Sequence, residues 1–294
     1  MSELIQKLPQ VRGQYRKNAK LKNWFDVGGL AQIVFRPADI ADLQYFLKNR
    51  SKEIPLTIIG AGSNVIVADE GVKGVVISLP GEFSKISHEG EIIKAGAATL
   101  CGNVALYCKN AALSGLEFLT GIPGSIGGAI AMNAGCYESD ISQNLISATA
   151  IDFAGSLHKI KNSDFGFFYR GNQIAQNFIF VEAVFVAIKS TTEEVMKKIS
   201  ELNSKRESTQ PIRARTGGST FKNPSQKKAW QLIDEAGCRG KIVGDAQISE
   251  KHCNFMINLG QASAQDLIGL GTEVRKMVKE KSGIDLEWEI KFLK

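Results

Sequence analysis

Between Gly115 and Gly135 the chain carries six glycines and a proline among small and apolar residues: Gly115-Leu116-Glu117-Phe118-Leu119-Thr120-Gly121-Ile122-Pro123-Gly124-Ser125-Ile126-Gly127-Gly128-Ala129-Ile130-Ala131-Met132-Asn133-Ala134-Gly135. A chain that only had to turn would need two or three such residues. So many in one stretch suggests backbone brought close to something bulky, because glycine presents main-chain N–H groups with no Cβ in the way. A second reading is a buried β region with several bends, since glycines in strands mark bulges and close backbone approach.

Another motif favours the first reading. Residues 55–59 read as a buried strand that runs into Gly60-Ala61-Gly62-Ser63-Asn64 and then a second apolar run, Val65-Ile66-Val67. Successive N–H donors with a hydroxyl and an amide at one point form an anion-binding concavity suited to phosphate. The motif is not the dinucleotide fingerprint of a doubly wound sheet, because the third glycine is missing and a strand follows instead of a helix. The two glycine-rich loops together suggest one large phosphate-bearing cofactor.

A chain of 294 residues points to two or three domains. No run approaches the ~18 apolar residues of a membrane span. Residues 1–7 lack the apolar core of a signal peptide. The five cysteines, Cys101, Cys108, Cys136, Cys238 and Cys253, are odd in number and show no paired spacing. They read as reduced thiols in a cytoplasmic protein, and no cluster has metal-ligand spacing, so no metal is expected. The net charge of +6 favours anionic partners, either nucleic acid or small phosphorylated molecules. The Lys and Arg residues are dispersed, which is the pattern of solvated faces rather than of a nucleic-acid footprint.

Periodicity outlines an α+β fold of three domains. Residues 1–75 form a small α/β unit: a strand at 31–35, a helix capped by Asp39 with Ile40, Leu43, Phe46 and Leu47 on one face, and the strand at 55–59. Residues 76–205 alternate short strands (75–77, 91–93, 145–151, 177–186) with glycine turns and one clear helix near 99–113. A helix with the capping box Thr191-Thr192-Glu193-Glu194 follows and breaks at Pro211. Residues 206–294 hold a helix near 227–236, a strand at 254–258, a long helix from Ser263 to a C-cap at Gly283, and a last strand at 285–292.

Several residues suggest chemistry. Gly217-Gly218-Ser219-Thr220-Phe221-Lys222-Asn223-Pro224 is either a polar turn or a hydroxyl poised to donate a proton, with Lys222 and Asn223 holding a polar ligand. No nucleophile elbow accompanies Ser219. Arg170, after Tyr169 and between apolar stretches, calls for a carboxylate, structural or from a ligand. Glu287 and Glu289 are two apart on one strand and so share a face. His252 is one of three histidines.

These segments, taken in order, resemble the UDP-N-acetylenolpyruvoylglucosamine reductase family. The marks are Gly60-Ala61-Gly62-Ser63-Asn64, Gly121-Ile122-Pro123-Gly124-Ser125-Ile126-Gly127-Gly128, Met132-Asn133-Ala134-Gly135, Tyr169-Arg170, Gly218-Ser219-Thr220-Phe221-Lys222-Asn223-Pro224 and Leu286-Glu287-Trp288-Glu289. The resemblance covers residues from about 18 to 293. It implies two domains that bind FAD in the manner of vanillyl-alcohol-oxidase-like flavoproteins, and a third that closes over a UDP-sugar. Residues 60–64 contain no histidine to tether the flavin, so the FAD is expected to be noncovalent. Too few positions separate Arg170 from Ser219 for the tyrosine-bearing insertion of the family's longer form.

The implied reaction takes hydride from NADPH and passes it to the vinyl carbon of the enolpyruvyl sugar. Arg170 and Glu289 match the residues that stabilise the enediolate, Glu289 in a protonated form that burial favours. Ser219 matches the proton donor to the neighbouring carbon. Gly60, Ala61, Gly62, Ser63 and Asn64, with Gly121, Ile122, Pro123, Gly124, Ser125, Gly127 and Gly128, match the cofactor-binding set. Tyr169, Lys222, Asn223 and His252 fall to the substrate. The expected partners are the UDP-sugar and NADPH, with no nucleic acid and no membrane insertion, for a monomeric protein. Three positions depart from the family pattern: Asn172 stands where Ser is common, Lys291 where Arg is common, and Lys294 near a usual Gly. Two other classes also fit the glycine loops: a flavin oxidase of small alcohols or sugars, and a colourless basic nucleotide or nucleic-acid binder.

Overall fold

The run Phe178-Ile179-Phe180-Val181-Glu182-Ala183-Val184-Phe185-Val186 is apolar on both faces, which suits the middle of a covered sheet. In the computed structural model, which describes residues 3–294, it takes that place. Strand Phe178–Val186 lies between Leu145–Asp152 and Ile92–Gly96 in a five-stranded antiparallel sheet edged by Leu157–Lys161 and Ile86–Glu89. A bulge interrupts the register: Ala150 pairs with Phe180 and Thr149 with Glu182, so Val181 has no partner on that strand. One extra residue reverses side-chain parity. Phe180 before the bulge and Ala183 and Phe185 after it therefore share one core, while Ile179 and Val181 enter another.

A second sheet runs in the order Gln14–Lys20, Leu30–Arg36, Val72–Ser78 and Leu56–Ile59, with the last pair parallel. Helix Ile40–Asn49 begins where the Asp39 carboxylate accepts from the Asp42 N–H, and it buries Leu43, Phe46 and Leu47. The strand Gln14–Lys20 was not expected from the sequence. Its polar run stays mostly exposed at a sheet edge, so burial imposes no apolar alternation on it.

The chain divides into two compact units. One comprises residues 1–18, 33–61 and 74–204, and the other residues 19–32, 62–73 and 205–294. The first unit has two hydrophobic clusters, one around Phe35, Phe46 and Ile77, the other around Val104, Ile126, Phe165 and Phe185. The second has one, around Phe221, Leu232, Met256, Leu267 and Val274, which also takes in Phe25 and Ile66. Its antiparallel sheet joins Ile242–Val243, Ala246–Ile248 and Met256–Asn258, with helices Ala229–Glu235 and Ala264–Ser282 packed in the same cluster. The long helix has the expected reciprocal cap: Ser263 accepts from the Asp266 N–H and Asp266 accepts from the Ser263 N–H. It ends at Gly283, whose φ is 75°.

Two expectations are corrected. The glycine-rich stretch is not a bent β region: it forms a 3-10 turn, Glu117–Gly121, and a short helix, Ile126–Ala131. Ile126, Ala129 and Ile130 recur at helical spacing and all bury. The last strand shrinks from 285–292 to Lys291–Leu293, which pairs in parallel with Val65–Val67. Residues 286–290 keep the alternation of a strand, with Leu286 and Ile290 buried and Glu287 exposed. They meet only an irregular partner, bridging Trp288 to Phe221. The reading of the leading segment falls partly on Met1 and Ser2, which lie outside the described residues.

No disulfide links any of the cysteines among the described residues, and burial pushes the Cys101 and Cys108 thiols up to about 12. No helix among those residues is long and apolar enough to cross a membrane.

The packing at Trp288 is tight enough to test. A Cβ on Gly271 would sit 2.0 Å from the indole Cη2 of Trp288. Gly271→Ala should lower stability by about 1–3 kcal/mol through overpacking. The expected readout is a lower urea midpoint with an unchanged slope; an unchanged midpoint would show that the indole moves aside without cost.

Candidate active site

In the first unit the two glycine motifs meet. A Cβ on Gly60 would lie 2.5 Å from the Ser125 Oγ, and one on Gly127 would lie 3.0 Å from the Ala97 Cβ. A larger residue at 60 would need the Ser125 hydroxyl to move, and one at 127 would need Ala97 to give way slightly. Around this contact lies a cavity of about 440 Å³, within the usual size of a ligand pocket. Gly60, Ala61, Ser125, Gly127 and Gly128 form one side of it. Its other walls are apolar and come from Ala97, Ala98 and Leu100, from Phe153, and from Phe178 to Phe180. Thr99, between the lining residues Ala98 and Leu100, has a buried hydroxyl with no hydrogen-bond partner in the protein.

These features fit a flat, polar-edged cofactor such as FAD. Part of the expected binding set behaves differently. The Ile126 and Gly127 N–H groups already donate to the Thr99 and Ala97 carbonyls, so they are not phosphate donors. Gly121 faces the Cys136 sulfur, and Ile122 is buried in the core. Neither Gly121, Ile122, Pro123 nor Gly124 lines the cavity.

Tyr169 and Arg170 occupy the tip of a tight turn. Phe168 N–H donates to the Gly171 carbonyl at 3.0 Å, and Gly171 N–H donates back at 3.1 Å. Of the two tip residues only Arg170 has a positive φ, 60°. That left-handed backbone costs a branched or long side chain roughly 1–2 kcal/mol. The guanidinium lies 5.1 Å from the centre of the Tyr169 ring, within cation–π range.

In the second unit, residues 219–222 run between two other segments. Ser219 bridges to Phe255, and Phe221 to Trp288. Thr220 N–H donates to the Asn254 carbonyl at 2.7 Å, and Glu289 N–H donates to the Thr220 carbonyl at 2.9 Å. Ser219 is therefore part of an extended, doubly paired segment and not of a simple polar turn. The Asn64 amide of the first glycine motif donates to the Glu289 carbonyl at 3.0 Å. Lys291 N–H donates to the Asn64 carbonyl at 3.0 Å, a backbone bond that Arg or Lys makes equally.

The remaining candidates have structural partners. Lys222 Nζ donates to Glu287 at 2.5 Å. Asn223 accepts from the Ala229 N–H, where helix Ala229–Glu235 starts. His252 packs edge-on against Phe255, and its Nδ1 accepts from the Asn254 N–H at 3.3 Å. Arg170 belongs to the first unit, Ser219 and Glu289 to the second.

Comparison with known proteins gives the family. Residues 31–161 match the FAD binding domain, and residues 210–293 match the C-terminal domain of UDP-N-acetylenolpyruvoylglucosamine reductase. The reductase of that name from Parvibaculum lavamentivorans is 50% identical over 290 residues, covering 98% of this chain and 94% of that relative. The chain belongs to the UDP-N-acetylenolpyruvoylglucosamine reductase family. The Rickettsia bellii reductase is 49% identical over 288 residues, with 97% of this chain covered and 95% of the relative. The crystal structure of UDP-N-acetylenolpyruvylglucosamine reductase (MurB) from Thermus caldophilus matches with a TM-score of 0.83 and 33% identity, over 97% of this chain and 100% of that one.

Sequence reading of this reductase fold missed the apolar cavity walls. They come from several separated segments, and no single motif announces them. It named Asn133 within a motif and Asn172 as a departure from the family pattern but gave neither a role, and both side chains are buried and hydrogen-bonded near the Arg170 turn. For Asn133 the signal was an amide inside an otherwise small or apolar run.

Burial, with a smaller effect from Arg239, holds the His252 imidazole below its ordinary value of 6.5. The unfolded chain then binds more protons than the folded one as pH falls below 6.5. The stability held by neutral His252 is complete above that pH and lost as pH falls through the lowered folded value. Urea midpoints measured across this range should decline in the wild type and decline less in His252→Gln. Equal slopes in the two proteins would show that His252 is not the group responsible.

Proposed function

We propose that this chain catalyses the NADPH-dependent reduction of UDP-N-acetylenolpyruvoylglucosamine to UDP-N-acetylmuramate in peptidoglycan precursor synthesis, with Arg170, Ser219 and Glu289 as its catalytic residues. The chain is a flavin-dependent oxidoreductase. The observation that carries the site reading is the hydrogen-bonded run from Asn64 to Glu289 to Thr220. It ties a residue of the first glycine motif, the carboxyl candidate and the neighbour of the hydroxyl candidate together across three chain segments.

FAD supplies the chemistry of accepting hydride from NADPH and delivering it to the vinyl carbon. The protein's own groups manage charge and protons. The Arg170 guanidinium offsets the carboxylate of the enolpyruvyl group, which makes the vinyl carbon electrophilic. Glu289, protonated, donates a hydrogen bond to the carboxylate oxygen as negative charge grows there. Preorganised donors of this kind act where charge develops and need no reorganisation during reaction. The Ser219 hydroxyl gives its proton to the adjacent carbon, whose enolate-like character makes a weak acid sufficient. Tyr169, Lys222, Asn223 and His252 contact the substrate, and Lys222 brings a cation already aligned by Glu287.

The cofactor is noncovalent, since residues 60–64 offer no histidine. Three subdomains, 1–75, 76–205 and 206–294, match the three hydrophobic clusters in number, while Phe25 and Ile66 join the cluster of 206–294, and Ile151, Ile179 and Val181 join that of 1–75. The protein acts as a cytoplasmic monomer on small molecules.

Acid precipitation followed by filtration should release all of the flavin into the filtrate. Flavin retained on the polypeptide would overturn the noncovalent reading.

The roles separate by half-reaction. Arg170→Gln and Glu289→Gln should slow reoxidation of reduced flavin by the UDP-sugar on the order of 10²–10³-fold, with little change in reduction by NADPH. Ser219→Ala should likewise leave reduction intact and slow product formation, and Ser219→Cys should recover part of the rate, a thiol being the stronger acid. Stopped-flow absorbance of the flavin measures both steps. Equal losses in both would make these residues structural, and wild-type turnover of Ser219→Ala would remove it from the mechanism.

A further inference from the structure

The turn that carries Arg170 is pinned on both sides by buried asparagines. On the N-terminal side, the Asn133 amide donates to the Phe168 carbonyl at 3.2 Å, while its oxygen accepts from the Ser142 N–H at 3.0 Å. On the C-terminal side, the Asn172 amide donates to the Ile130 and Ala131 carbonyls at 3.0 and 3.2 Å. The Asn172 oxygen accepts from the Ile174 and Ala175 N–H groups at 3.1 and 2.7 Å. The two side chains belong to residues only 4% and 6% exposed. The carbonyls that Asn172 reaches end the helix Ile126–Ala131, Asn133 lies two residues beyond that end, and Gly127, Gly128 and Ala131 of the helix line the cavity. Ala175 lines the cavity too.

We infer that Asn133 and Asn172 are positioning residues that lock the Arg170 turn to the helix that lines the cofactor cavity. The inference rests on the proposed role of Arg170. Its physical reason is strain. A left-handed arginine persists only where its surroundings over-determine the backbone. Six hydrogen bonds from two amides supply that constraint, and each amide spends both its donor and its acceptor on backbone. A serine at 172 has one hydroxyl hydrogen and a short reach, so it cannot serve the helix end and the 174–175 amides together.

The test uses the flavin-loaded full chain. Asn172→Asp keeps shape and acceptor but loses both donations to the helix carbonyls; Asn172→Ser and Asn133→Ala are companion variants should the first fail to fold. Each should slow reoxidation by the UDP-sugar about 10- to 100-fold, the penalty of misplacing a reacting group. Reduction by NADPH should change little. Independently of activity, the Gly171 amide should exchange hydrogen faster, since its bond to Phe168 loosens. Unchanged reoxidation, or equal losses in both half-reactions, overturns the inference. Arg170→Gln is measured alongside. If it slows reoxidation and the asparagine variants do not, the positioning role alone fails. If it has no effect, the reading of Arg170 fails and takes this inference with it.

Discussion

A buried amide holds the second unit's site segment in place. Asn254 is 3% exposed, and its side chain accepts from the Phe221 N–H at 3.0 Å and donates to the Phe221 carbonyl at 2.8 Å. Its own carbonyl accepts from Thr220. One side chain thus replaces the ladder that a regular neighbouring strand would have provided. Residues 219–222 can then stay extended and irregular, with Ser219 less buried than Thr220 and Phe221. The same device recurs. Asn258 donates to the Phe25 carbonyl and accepts from Gly260 and Ala262, and Asn23 closes the 21–27 loop on itself.

The energetics explain why asparagine suits this task. A satisfied hydrogen bond nets only about 1 kcal/mol, but an orphaned buried group costs about 1–3 kcal/mol. An amide that serves two backbone groups removes two such penalties and restricts geometry on both sides. Around Arg170 the bonds of Asn133 and Asn172 together outweigh the roughly 1–2 kcal/mol of left-handed strain. Asn172 closes the local bonding around the arginine turn through its own set of contacts, which need the reach of an amide.

The apolar cavity of the first unit depends on a different constraint, parity along one strand. Without the bulge at Val181, Phe180 and Phe185 would point to opposite faces of the sheet. With it, strand Phe178–Val186 feeds two cores and still contributes Phe178, Ile179 and Phe180 to the cavity wall. The apolar wall and the glycine side are therefore set by separate means, one by register and the other by the absence of Cβ atoms.

Much of this was readable from residues alone. The capped helices at Asp39 and Ser263, the apolar strand at 178–186 and the polar end at Pro211 carry local signals, because caps, periodicity and proline act within a few residues. The two glycine motifs announced close backbone approach, and the ordered motifs announced the family. The sequence could not say that Gly60 meets Ser125, that residues 126–131 are helical, or that 285–290 lack a full strand partner. Nor could it say that Asn133, Asn172 and Asn254 spend their amides on distant backbone. Each of these depends on which segments become neighbours, and a side chain's partner across tens of residues is decided by packing rather than by local preference. Composition and motif determined what the chain binds and does; the tertiary structure alone decided which groups are held rigid to do it.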